Sequence, residues 1–126
     1  MQVNITRQIE IELKRYLYAF NDRKWEEFSS HIDDDFKYFT DRCVIQNKEQ
    51  FISYLSKNTW DGRGYNISDL NVISSENEDL AVARYKAEFI GYENDKKITV
   101  YAIETTIFAK GKSGWKIVHS HTSNKI

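Results

Sequence analysis

The chain has 126 residues, 40% of them apolar and 14% aromatic, which is enough bulk for one packed domain over residues 1–126 and argues against disorder. Lys and Arg number 18 against 19 Asp and Glu, for a net charge of −1, so the chain has neither the basic excess of a nucleic-acid binder nor a polybasic membrane surface. A single cysteine, Cys43, excludes an internal disulfide, no apolar run approaches the roughly 18 residues of a membrane span, and residues 1–7 lack a secretory signal, so the expected setting is cytoplasmic.

The apolar period is helical at the start. Ile9, Leu13, Tyr16, Leu17 and Phe20 form one stripe, and Asn21-Asp22 breaks it. Asp22 is placed to cap a second short helix holding Trp25 and Phe28, with Glu26 and Glu27 at its positive end. Short strands are expected in Phe36–Phe39 and Arg42–Ile45. A third helix is expected over Lys48–Lys57, where Asn47 and Gln50 have the spacing of a capping box and Phe51, Tyr54 and Leu55 supply the buried stripe. Trp60-Asp61-Gly62-Arg63-Gly64 then reads as a loop.

From Tyr65 the chain is rich in β-branched and aromatic residues, and four strands are expected over Asn66–Ser74, Leu80–Tyr92, Lys97–Ala109 and Trp115–Ser123. Their connectors are short and polar, as antiparallel hairpins require. Helices followed by an antiparallel meander make an α+β domain. Within Thr99–Phe108, Val100, Ala102 and Phe108 fall on one face and Tyr101, Ile103 and Ile107 on the other. One helix layer covers a single side of a sheet, so a second copy of the chain is the simplest cover for the other side, and strong curvature or a terminal segment is the alternative.

The last strand, Gly114-Trp115-Lys116-Ile117-Val118-His119-Ser120-His121-Thr122-Ser123, resembles the closing strand of SnoaL-like domains of the ketosteroid-isomerase-like (nuclear-transport-factor-like) superfamily. Leu13-Lys14-Arg15-Tyr16 through Phe20-Asn21 to Asp33-Asp34-Asp35-Phe36 is similar to the opening of that fold, and the order of elements agrees. The resemblance implies a cone-shaped α+β barrel, with three helices from the N-terminal half packed on a strongly curved antiparallel sheet and a pocket at its open end. It also implies a homodimer joined through the sheet face. Its activities range from isomerases, cyclases and dehydratases to modules that only bind or assemble, so fold alone does not select one. A small, largely apolar, oxygenated molecule is the implied ligand, and no cofactor is implied.

By resemblance, Tyr16 matches the tyrosine of an oxyanion hole and Glu104 lies near its protonated acid. Each has a plainer alternative: Tyr16 as a core ring, and Glu104 as an outward glutamate or the ion-pair partner of Arg84. The expected general-base position falls on Thr40, which cannot deprotonate carbon; neighbouring Asp41 would point the other way in an extended segment, so either a local bulge recruits Asp41 as the base, or the base lies elsewhere, or there is none. His119 and His121, at i and i+2, share one strand face and titrate near neutrality, so they are candidate proton carriers. With His31, Cys43 or Glu104 they could reach a metal, but no spacing fixes a third ligand and no metal is assigned. Trp60, Arg84 and Tyr38 are the candidate binding residues, Arg84 as an anion clamp if it faces inward. Asp33-Asp34-Asp35 reads as a turn cluster, and Cys43 is given no role.

Overall fold

The helical stripe becomes α1 (Ile5–Asn21), which buries Ile9, Leu13, Tyr16, Leu17 and Ala19. Its first turn is capped by Asn4, whose side chain accepts from the Arg7 amide at 2.8 Å. The structure, a computed structural model, describes residues 4–125. Asp22 does not cap the second helix as expected: it ends α1, its amide donating to the Tyr18 carbonyl at 2.9 Å. Arg23 then takes a left-handed φ of 55°, and α2 (Trp25–Ser30) starts beyond it with no side-chain cap. That strained turn is held from outside. The Arg23 guanidinium donates to the Trp60 carbonyl at 2.7 Å and to the Ser56 carbonyl at 2.8 Å, tying it to the end of α3 (Lys48–Lys57). The capping box of α3 forms as read: Asn47 and Gln50 exchange side chain-to-amide bonds at 2.9 Å.

Six strands form one sheet in the order β2-β1-β6-β5-β4-β3, with β1 (Ile32–Thr40), β2 (Ile45–Asn47), β3 (Asp61–Ser74), β4 (Leu80–Glu93), β5 (Lys96–Gly111) and β6 (Gly114–Lys125). The hairpins from β3 to β6 are antiparallel, as the short connectors required. One pairing departs from the antiparallel expectation: β1 runs parallel to β6. No hairpin joins these two strands, so nothing forces them to reverse. The expected loop over Trp60–Gly64 is mostly strand, because Asp61 pairs with Tyr92 and Gly62 with Gly91. Its two glycines serve a register shift between Gly62 and Gly64 instead of a turn.

Register shifts in β3, in the β1–β6 pair and in the β5–β6 pair bend the sheet, which curves around α1. The core lies inside the bend, where Phe28, Phe36, Phe108, Leu13 and Ile117 are almost fully buried. Among the described residues no helix is long and apolar enough to cross a membrane.

Candidate functional site

At the open end of the curved sheet, α1, α2, α3 and the ends of β1, β4, β5 and β6 leave a cavity of about 490 Å³. Its walls mix aromatic rings with polar side chains, and its charged side chains are Asp41, Arg42, Glu93 and Glu104. Alternation along β5 decides the key placement. Ala102, Thr106 and Phe108 are buried, whereas Tyr101 and Ile103 are 49% and 63% exposed, so Glu104 faces inward with the even-numbered positions.

Glu104 stands opposite Tyr85 in the β4–β5 register, and the Tyr85 hydroxyl donates to Glu104 Oε1 at 2.7 Å. The Thr122 hydroxyl on β6 donates to Glu104 Oε2 at 3.0 Å. Behind them Tyr85 also meets Thr106 Oγ1 at 2.9 Å, and Thr106 lies 3.5 Å from Ser120 Oγ. Burial pushes the Glu104 carboxyl above the usual carboxylate range, while the hydroxyls of Tyr85 and Thr122 hold part of that rise back. Among the described residues no cation contributes to it, and the two hydroxyls are what favours its charged form.

Tyr16, buried on α1 and stacked on Phe28 with ring centroids 4.7 Å apart, also lines the cavity. Burial first, and the nearby Glu104 second, raise its phenol far above the ordinary range, so it remains a donor. Tyr38 on β1 is raised for the same two reasons, with Thr122 opposing. Trp60 reaches the cavity because its carbonyl is fixed by Arg23 and its ring lies against Gly91. A Cβ at Gly91 would stand 2.7 Å from Trp60 Cζ2 and 2.5 Å from the Asp61 carbonyl oxygen, so only glycine allows this approach. Asp41 lies at the cavity mouth in the β1–β2 turn. Thr40 Oγ1, at the expected base position, accepts the amides of Arg42 and Val44 at 3.3 and 3.2 Å and so builds that turn.

His119, His121 and Arg84 are not brought to the cavity. Trp115 and Ile117 are buried, and strict alternation would carry His119 and His121 inward after them. Instead Val118 is an extra residue: Phe108 pairs with Ile117, but Ile107 pairs with His119. This bulge reverses the parity, so Ser120 and Thr122 face the cavity and both histidines face outward. His119 packs there on Phe39 with centroids 5.0 Å apart, and burial lowers its pKa, with His121 adding to the fall. They do not converge with His31, Cys43 or Glu104 on a metal site among the described residues. Arg84 also lies on the outer face. It donates from Nε to Asn71 Oδ1 at 3.2 Å and makes no pair with Glu104.

Sequence reasoning missed Tyr85, Thr122, Ser120 and Arg42. Tyr85 was detectable, because it alternates with Ala83 and Ala87 on the buried face of β4. Thr122 and Ser120 were hidden by the bulge, which no residue type in the strand announces.

The fold is shared with solved structures of low sequence identity. An NTF2-like protein from Cytophaga hutchinsonii superposes with a TM-score of 0.86 at 17% identity, covering 98% of this chain and 100% of that one. The CaMKII hub of S. rosetta gives 0.82 at 18% identity, covering 99% and 100%. A ketosteroid isomerase-like protein from Erwinia carotovora atroseptica gives 0.76 at 18% identity, covering 94% of each. No curated protein matches the sequence. The family model for the SnoaL-like domain matches residues 9–126, nearly the whole chain, and with the curved sheet and helix order described above it places this protein in the SnoaL-like domain family.

Proposed function

We propose that the protein binds a small, largely apolar molecule in the 490 Å³ cavity, with the polar end of that molecule seated on Tyr16 and Glu104. The carrying observation is an ionisable carboxyl held by two hydroxyls at the floor of a chamber with aromatic walls, with no cation beside it among the described residues. In the enzymatic form of this reading, Tyr16 and protonated Glu104 would hold an oxyanion, as in proton-transfer chemistry of the isomerase, cyclase or dehydratase kind. Of the proton carriers considered, Asp41 alone lines the cavity. A fluorescence titration with 2-naphthol tests the binding reading. Saturable binding that weakens at least tenfold in Val100→Trp, which fills the chamber from β5, is the expected result. No saturation up to millimolar 2-naphthol, or equal binding by the filled variant with an unchanged circular dichroism spectrum, would overturn it.

The outer sheet face supports a second reading, self-association as a homodimer. Tyr101 and Ile103 are exposed there on β5, and Ile73 on β3 and Leu80 on β4 are 50% and 44% exposed. Patches of this kind on soluble domains mark contact surfaces. The S. rosetta CaMKII hub has the same fold, which makes association a natural use of it. Sedimentation should show a dimer that dissociates in Ile103→Lys. A monomeric wild type would refute this second reading.

A further inference from the structure

We infer that the ligand of this cavity is an organic cation: an ammonium or quaternary ammonium group carried on a small apolar body. The inference rests on the cavity reading and narrows it. Glu104 is arranged as an acceptor. Tyr85 donates to one carboxyl oxygen and Thr122 to the other, so each oxygen keeps further lone-pair capacity. Among the described residues no Lys, Arg or His balances the carboxyl; burial and these two hydroxyls act on it. The charged lining comprises three acids, Glu104, Asp41 and Glu93, against one base, Arg42; Asp41 and Arg42 are both exposed at the mouth, which leaves Glu104 as the charge of the floor. Between mouth and floor the walls are the rings of Tyr16, Phe28, Tyr38, Phe51, Trp60 and Phe89.

An anionic ligand would find Arg42 at the rim as its one cationic partner in the lining and would meet the Glu104 carboxyl at the floor. A neutral hydroxyl could donate to the carboxyl but would bring no counter-charge to its ionised form in a poorly solvated site. A cation satisfies both parts of the chamber. It supplies the missing counter-charge to Glu104, and its onium face is attracted to aromatic quadrupoles. Choice among ligands then follows from charge as well as shape.

The arrangement also fixes a pH dependence. The titratable groups facing Glu104 are Tyr16 from α1, Tyr38 from β1 and Tyr85 from β4, all held protonated by burial, while Asp41, Arg42 and Glu93 stand further out along the cavity lining. Because burial favours the protonated carboxyl, a cation must displace that proton. Affinity therefore rises with pH across the Glu104 titration and levels off above it.

The test is a charge series of one shape: benzyltrimethylammonium, its neutral carbon isostere neopentylbenzene, and anionic benzylsulfonate. Binding to the whole protein is followed by amide chemical shifts at Val100, Glu104 and Thr122. The expected result is that the cation binds at least tenfold more tightly than the other two, that its affinity rises with pH, and that the preference disappears in Glu104→Gln. Should that variant not fold, the wild-type pH dependence carries the same information. Equal or tighter binding of the neutral or anionic compound, or cation affinity that is flat or falling with pH, overturns the cation inference. The cavity reading then still stands on the 2-naphthol result. If all three compounds leave the cavity amides unmoved, the cation inference fails, and failure of 2-naphthol as well removes the cavity reading.

Discussion

Replacing Tyr85 by phenylalanine removes the phenol that donates to Glu104 Oε1 at 2.7 Å and meets Thr106 Oγ1 at 2.9 Å, while leaving the buried ring in place. Two separate costs follow. Thr106, fully buried, keeps only the long 3.5 Å contact to Ser120, a loss of about 1 kcal/mol typical of a neutral hydrogen bond. The bond to the carboxyl is worth more when the carboxyl is charged, about 1.5–3 kcal/mol against about 1 kcal/mol when it is neutral. The variant should therefore lose about 2 kcal/mol near pH 4 and about 2.5–4 kcal/mol near pH 9, where the buried phenol still holds its proton. Urea unfolding at both pH values measures the difference, and the slope of the transition checks that the unfolded state has not changed. A loss that is the same at both pH values, or smaller at the higher one, would refute the assignment of Tyr85 as donor to the carboxylate.

Glu104→Gln should act in the opposite direction with pH. The folded-state carboxyl is raised above 4.5, so the native state holds its proton more tightly, and stability contributed below that range is lost as pH climbs through the raised titration. The variant should gain on wild type over that window in paired urea unfolding curves, whereas parallel curves would contradict it. His31 titrates with the reverse sign. Burial first, then Lys116 and Arg15, hold it below 6.5 against Glu12 and Glu27, and its Nε2 has no hydrogen-bond partner. Stability should drop as pH falls below that value, and His31→Asn should flatten the drop in the same titration. Gly91→Ala should cost about 1–3 kcal/mol by thermal unfolding, because its Cβ meets Trp60 and the Asp61 carbonyl, and it should weaken 2-naphthol binding by displacing Trp60. Arg23→Ala should loosen the same tryptophan by releasing the Trp60 and Ser56 carbonyls, seen as faster amide exchange at 58–60.

The parts of the fold that could be read from the sequence are those fixed by local chemistry. The α1 stripe, the α3 capping box and the polar hairpin connectors each depend on residues within a few positions of one another. Glu104 stood out as a carboxyl inside an apolar strand, but its face was not legible, because Thr99–Phe108 carries apolar residues on both sides and a one-residue change of register exchanges them. The parallel β1–β6 pair was not legible, since its partners are some eighty residues apart and no turn signal links them. Arg23 escaped notice for a similar reason. Its carbonyl partners lie 33 and 37 residues away, and nothing in Asn21-Asp22-Arg23-Lys24 names them.

The single inserted residue in β6 has the largest chemical consequence. Without the Val118 bulge, His119 and His121 would take the inward positions that Ser120 and Thr122 now hold. An imidazole beside Glu104 would form an ion pair with it, drawing the carboxyl down toward its ordinary range and occupying the oxygen that Thr122 now serves. The bulge substitutes a hydroxyl, which orients the carboxyl through a hydrogen bond but brings no charge. The parity change therefore leaves one ionisable group among aromatic rings with its counter-charge missing, and that vacancy in the charge balance is what a ligand can fill.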